Sequence, residues 1–374
     1  MSVTIKPVLT KKEMKAFIHL PAKIHKDHKN WVPPLYGDEW VFFNPKKNAL
    51  FKQCDYILLL AYRGKEIVGR IMGLVHHEYN TLKNENNARF NFLEAPDDRE
   101  VIEALMNAIK EWARERGKEK LIGPMAFSDK DPQGYLVEGF EQPVVIASHC
   151  NFEYIVTHLK DLGFEKELDL VVYNVLVPDS LPEFHERVAE RAIRNNPGLT
   201  LVEPRNRRQL RKYIYPVFTL VNETFTGIYG FTPFTREEMK EFANRYILVM
   251  DAAFVKIIKN ENGDLVAFIL GMPDISEGIK KSKGYLFPFG FIPVLTSGKK
   301  SKQLNLLLGA VHPDYQNRGL NSIMGIAMLK SAMKAGKTHI DSHLEMETNT
   351  KVRAEMERMG GDVYKRYRIF QQKI

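Results

Sequence analysis

V-H-P-D-Y-Q-N-R-G-L-N-S-I-M, residues 311–324, lies between an apolar run and a helix-periodic run, and its reading decides the fold. Upstream, L-N-L-L-L-G-A-V (304–311) predicts a core strand. Downstream, Ile323, Met324, Ala327, Met328 and Ser331 recur at helical spacing. A strand therefore runs through a short turn into a helix. Backbone N–H groups from Gln316 to Asn321 have no helical acceptors there, and with the helix dipole they make a site suited to a diphosphate. An ordinary glycine-containing turn has the same spelling, so the stretch by itself leaves both readings open.

The spacing resembles the acyl-CoA-binding signature of the GNAT acetyltransferase superfamily, V-x-P-x-x-[Q/R]-x-x-G-x-[G/A], with Val311, Pro313, Gln316 and Gly319 in register. The signature's last position is Asn321 here, whose side chain would either crowd a phosphate or donate to it. A second segment, N-T-K-V-R-A-E-M-E-R-M-G-G (349–361), resembles the superfamily's C-terminal helix through Asn349, Glu357, Arg358, Met359 and Gly360. The resemblance implies acetyl-CoA or another acyl-CoA as cofactor, bound by Val311, Gln316, Asn317, Arg318, Gly319, Leu320, Asn321 and Asn349. Asn349 and Gly360 are equally explained as a helix N-cap and a C-terminal stop.

With 374 residues, 44% of them hydrophobic, the chain can bury a substantial core, and its length favours two domains. Cys54 and Cys150 fit no metal or redox spacing, and so few cysteines argue for a reducing compartment. No metal site is expected. The N-terminus lacks a signal peptide's apolar core and no run approaches the length of a spanning helix, so the cytoplasm is the expected location. Lys plus Arg number 54 against 46 for Asp plus Glu, a net charge of +8, and a pI near 9.1 favours anionic partners. The sharpest basic cluster, Arg205, Arg207, Arg208, Arg211 and Lys212, reads as a solvated helix face. Nucleic acid is not an expected partner, because no aromatic residues interleave there to stack on bases.

The second half restates the first. V-T-I-K-P (3–7) pairs with L-T-L-V-E-P (199–204), and the strand–turn–strand stretch 56–73 pairs with 254–271. After them, 90–96 pairs with 304–313, the helix 100–116 with 321–335, and 158–173 with 356–370. This element order is similar to that of the GNAT fold, so the resemblance implies an α/β fold with a mixed sheet, carried as two tandem GNAT-like domains. A helix over 181–194 closed by N-N-P-G (195–198) marks the boundary. The division is 1–178, a connecting helix and linker over 179–197, and 198–374.

The copies differ chemically. Where the second has its phosphate turn, the first reads A-P-D-D-R-E (95–100), without glycine and with three carboxylates that cap a helix but repel a diphosphate. The first copy is expected to have lost the cofactor and to complete the substrate cleft, with 123–128 and 134–139 as loops that could face it. In the second copy, the resemblance implies a proton-donating tyrosine where Met356 stands and a strand carboxylate where 304–311 offers only Asn305. Replacements are sought in T-H-I-D-S-H-L-E (338–345), whose alternation puts His339, Asp341, His343 and Glu345 on one face. His343 and Glu345 are the candidate catalytic bases, though a hydrogen-bonded polar strand would show the same pattern.

Two aromatic segments remain. Tyr285 to Leu295 lie between lysine clusters within 280–302 and could touch a membrane surface, line a substrate tunnel or pack between domains. The loop 225–234 precedes a helix capped by Thr235 and Glu238, and the resemblance implies that it shapes an acceptor pocket. Trp31 to Pro34, His25 and His28 read as turn and packing elements. The expected activity is acyl-CoA-dependent N-acyl transfer, with acetyl as the group and a small-molecule or peptide amine as acceptor. The rivals are a non-catalytic CoA-binding or assembly protein and a Fem-like aminoacyl transferase.

Overall fold

The computed structural model describes residues 2–247 and 249–374. The first half contains β1 (Val3–Pro7), α1 (Lys11–Ile24), α2 (Tyr36–Phe42), β2 (Cys54–Arg63), β3 (Glu66–His76), α3 (His77–Lys83), β4 (Asn87–Glu94), α4 (Arg99–Arg114), β5 (Lys120–Gly123), β6 (Tyr135–Glu138), α5 (Glu153–Asp161) and β7 (Glu165–Leu176). A connecting helix, α6 (Glu183–Arg194), leads to the second half. There follow β8 (Thr200–Val202), α7 (Arg207–Leu210), α8 (Ile214–Thr224), α9 (Arg236–Tyr246), β9 (Val255–Lys259), β10 (Leu265–Pro273), α10 (Ser276–Lys281), α11 (Phe291–Lys300), β11 (Gln303–Val311), α12 (Leu320–Lys334), β12 (His339–Asp341), β13 (Glu345–Met346), α13 (Thr350–Arg358) and β14 (Asp362–Lys373).

Local chemistry explains these boundaries. Asp98 caps α4 by accepting from Val101 N–H, and Thr235 with Glu238 forms a capping box on α9. On α4 the buried residues Val101, Ile102, Leu105, Met106 and Ile109 make one stripe against β3 and β4.

All the strands join one sheet: twelve follow the order β1-β2-β3-β4-β5-β14-β7-β12-β11-β10-β9-β8, while β6 pairs with β14 and β13 with β7 beside that path. Neighbours are antiparallel except β4 with β5 and β11 with β12. The order reads symmetrically about the central pair, because each half's last strand sits in the other half's part of the sheet. Strand β14 pairs with β5, and β7 pairs with β12. Arg368 clamps this centre with a bidentate pair to Asp169 at 2.7 and 2.8 Å. Asp341 and Lys365, both fully buried, meet at 3.1 Å, and the Tyr364 hydroxyl donates to the same carboxylate.

In both halves a parallel strand pair starts together and then separates. Strand β11 pairs with β12 only through Gln303, Leu304 and Asn305, and β4 with β5 only through Asn87, Ala88 and Arg89. The first gap is filled by its own chain. Met125 N–H donates to Phe90 O, the buried Arg89 guanidinium donates to Ala126 O and Phe127 O, and Asn91 donates to Pro132 O. The second gap stays open, because after Asp341 the chain follows β7 instead: Ser342 N–H donates to Tyr173 O and Glu347 N–H to Asp169 O.

Candidate active site

Strand β11 ends at Val311, and a short turn around Pro313 leads to Gly319, which starts α12 with φ +81°. A side chain at 319 would be strained in that conformation, and its Cβ would lie 2.9 Å from Ala192 Cβ on α6. Asn196 on the linker donates to Arg318 O at 3.0 Å and so holds the turn from behind. Among the described residues the N–H groups from Asn317 to Ser322 have no acceptor. Six consecutive donors thus stand at the positive end of α12, one residue on from the expected row of Gln316 to Asn321, because Gln316 N–H is taken by Pro313 O at 3.2 Å. Asn321 neither plugs this turn nor turns toward it, since its carboxamide is spent on Glu355 of α13 at 2.6 and 2.8 Å.

The turn opens into a cavity of about 1090 Å³ between the two halves. Gln316, Asn317, Gly319, Asn321 and Ser322 line one end, and the separated edge of β11 from Leu306 to Val311 lines the floor. A bulge at Leu307 bends that strand where Leu270 and Gly271 face Leu308 and Leu306. Beyond Asn305 the edge facing β12 has no strand partner, so its main-chain groups are presented to the cavity. The rest of the lining is largely apolar: Val221, Phe225, Phe231, Phe234, Phe242 and Phe268 from the second half, Leu170 and Ile146 from the first. The loop at 225–234 thus does shape a pocket.

The polar strand reading is corrected. Strand β12 stops at Asp341, and His343 takes φ +60°, so the expected alternation through Glu345 is broken. His339 turns to Gln303 (3.1 Å) and Asp341 is buried against Lys365, which leaves only His343 and Glu345 of the four on the cavity wall. The Ile146 carbonyl can only accept, so His343 Nε2 carries the proton in that 3.2 Å contact and Nδ1 holds the lone pair. Burial lowers the imidazole pKa and keeps the ring neutral. Glu345 carries no hydrogen bond or ion pair on its carboxylate among the described residues. Burial, helped by the charge of Glu355, pushes its pKa up to about 8.

Asn349 accepts from Val352 N–H and caps α13, and it also lines the cavity. Met356 lines the cavity in the place where the resemblance implies tyrosine. A phenol stands nearby from another element: Tyr229 N–H donates to Met346 Sδ at 3.4 Å, and its hydroxyl donates to Glu167 at 2.9 Å.

Residues that sequence reasoning did not assign also face the cavity. Asp129 and Lys130 come from the first half's gap-filling loop, directly after the stretch 123–128. Burial raises Asp129 to about 6 and lowers Lys130, whose ammonium lies 4.0 Å over the Phe234 ring. No spacing in the chain connects 129 to 343. Outside the cavity, His25 and His28 do pack, stacked with Phe152 and hydrogen-bonded to each other through Nδ1 atoms 3.1 Å apart. The Cys150 thiol lies 3.3 Å from the same His28 nitrogen.

No protein-family model matches the chain. Among solved structures, a tandem GNAT protein from the clavulanic acid biosynthesis pathway superposes with a TM-score of 0.55 at 12% identity, covering 100% of this chain and 98% of that one. The fold is that of the tandem GNAT proteins. Two curated relatives extend the likeness over full length. A bacterial ceramide synthase of Caulobacter vibrioides is 26% identical over 381 residues, covering 100% of this chain and 98% of its own. Protein YghO of Escherichia coli is 26% identical over 390 residues, covering 99% and 95%. Within this tandem GNAT fold, the open gap of the second half and the filled gap of the first make the two copies unequal. Among the described residues no helix is long and apolar enough to cross a membrane.

Proposed function

We propose that the chain is an acyl-CoA-dependent N-acyltransferase with the cofactor held by the second half. The observation that carries this reading is the unbonded N–H row at 317–322 opening into the same cavity as Glu345. When bound, acyl-CoA would supply an activated thioester carbonyl, whose C–S bond would break as the amine's C–N bond forms, the coenzyme leaving as thiolate and taking up the proton that the amine gives up. The N–H groups of 317–322 would hold the diphosphate, and the unpartnered edge of β11 would take the amides of an extended arm in the manner of an added strand. Glu345, once ionised, accepts the proton that the amine must lose, and His343 Nδ1 is the second acceptor on that wall. Tyr229 is committed to Glu167, so it shapes the wall and is not assigned a proton to give.

The cavity's size and apolar lining support a long hydrocarbon on the acyl group, the amine or both, beyond the acetyl group first expected. A relative named for ceramide, itself a long-chain amide, points the same way. The test is thiol release from acyl-CoA thioesters of increasing length, paired with short and long-chain amines. Turnover should appear with a long-chain partner and fall by roughly 10²–10⁴-fold in Glu345→Gln. Absence of amine-dependent thiol release across the whole panel would overturn the reading.

A further inference from the structure

Between β10 and β11 the second half carries a helical hairpin, α10 and α11, where the first half has only the short α3 between β3 and β4. Its root is fixed in the core: Ile275, Ile279 and Val294 are buried with Met272, and Leu286 packs in the same cluster as Leu307 and Ile146, which line the cavity. Its tip is the reverse. Phe287 is 79% exposed, Phe289 73%, Ile292 52%, Tyr285 51% and Phe291 41%. So dense a group of exposed large apolar side chains marks a contact surface. The tip turns sharply at Gly290, where a Cβ would lie 1.7 Å from Tyr285 O, so no other residue fits that turn.

The charges around the tip say what it contacts. Lys280, Lys281 and Lys283 lead into it from the end of α10, Lys299 and Lys300 stand at the far end of α11, and Glu277 is the single carboxylate within 276–302. A second protein would have to bury these ammonium groups or pair each of them, whereas an anionic bilayer accepts both features at once, aromatic rings at the headgroup level and lysines over the surface. We infer that the α10–α11 hairpin docks the protein on an anionic lipid bilayer, with Phe287 and Phe289 inserted at the interface. The hairpin root then sets the cavity wall next to the membrane, where a lipid amine or acyl chain would arrive. Docking itself does not depend on the proposed catalysis.

Co-sedimentation of the full chain with phosphatidylcholine vesicles, with and without phosphatidylglycerol, tests this without any acyl-CoA. The protein should pellet with the anionic vesicles and be released by salt. Phe287→Ser/Phe289→Ser should weaken partitioning by roughly tenfold or more, and Lys281→Glu/Lys283→Glu should weaken it in anionic vesicles only. Both pairs are exposed, and unchanged melting curves would verify that the variants fold. Failure to bind either vesicle, or undiminished binding by the phenylalanine variant, would overturn the inference. So would sedimentation velocity showing a dimer that the phenylalanine variant dissolves, because the patch would then be covered by a second copy.

Discussion

At the residue scale, Gly325 in α12 is instructive. Glycine inside a helix costs about 0.5–1 kcal/mol relative to alanine, and here no atom lies within 4 Å of where a Cβ would be, on the side facing the cavity. Gly325→Ala should therefore raise thermal stability while narrowing the space left for cofactor, a pairing that melting curves and affinity would show together. With Glu345 as the proposed base, the pH dependence follows from its burial. With its folded pKa raised from 4.5 to about 8, it is largely protonated at neutral pH, and turnover should rise with pH until about 8. The same sign makes its contribution to stability full below about 4.5 and lost as pH climbs through 8. Glu345→Gln should abolish that limb of the rate profile and flatten the matching part of the stability curve; an unchanged limb assigns the base elsewhere. The turn at 311–324 is legible in sequence because proline, glycine and the onset of helical periodicity each leave a mark on their own position. The fate of Asn321 is not, since its partner Glu355 lies on another helix.

At the scale of elements, sequence and structure agree on the matched hairpins and on the helices at 100–116 and 321–335, because apolar runs and the turn residues between them are local signals; α4 has one buried stripe, whereas α12 is buried on more than one side. The strand at 338–345 is where local reading fails. Period-two polarity predicts a continuous strand, yet Asp341 is drawn into the sheet centre by Lys365 and His343 turns into the left-handed region. Lys365 arrives only with β14, so nothing near residue 341 announces it. Breaking this pair should be costly: Asp341→Ala leaves an ammonium buried without its carboxylate and should lose about 3–5 kcal/mol in chemical denaturation. A loss below about 1 kcal/mol would mean that the buried pair does not hold the centre of the sheet. The gap-filling loop at 124–133 explains, in turn, why only one half keeps an open cleft, and the carboxylates at 97, 98 and 100 reinforce it by occupying the start of α4.

At the scale of the molecule, the repeat is visible in sequence but the exchange of last strands is not: β7 reads as a continuously buried strand and β14 as an alternating one, and neither pattern names the half that the strand completes. The exchange ties the halves into one sheet and builds the cavity from both, so unfolding should be a single cooperative transition; two separable transitions would contradict the shared centre. The cavity's chemistry depends in the end on one feature, the N–H row at the start of α12. Ser322→Asp probes it without threatening the fold, since a carboxylate in the first helical turn favours the helix by about 0.3–1 kcal/mol yet opposes a bound anion. Calorimetric titration with coenzyme A should give saturable binding by the natural chain and at least about tenfold weaker binding by a Ser322→Asp variant that melts no lower. No binding at millimolar coenzyme A, or equal binding by the two proteins, would contradict a diphosphate held by residues 317–322.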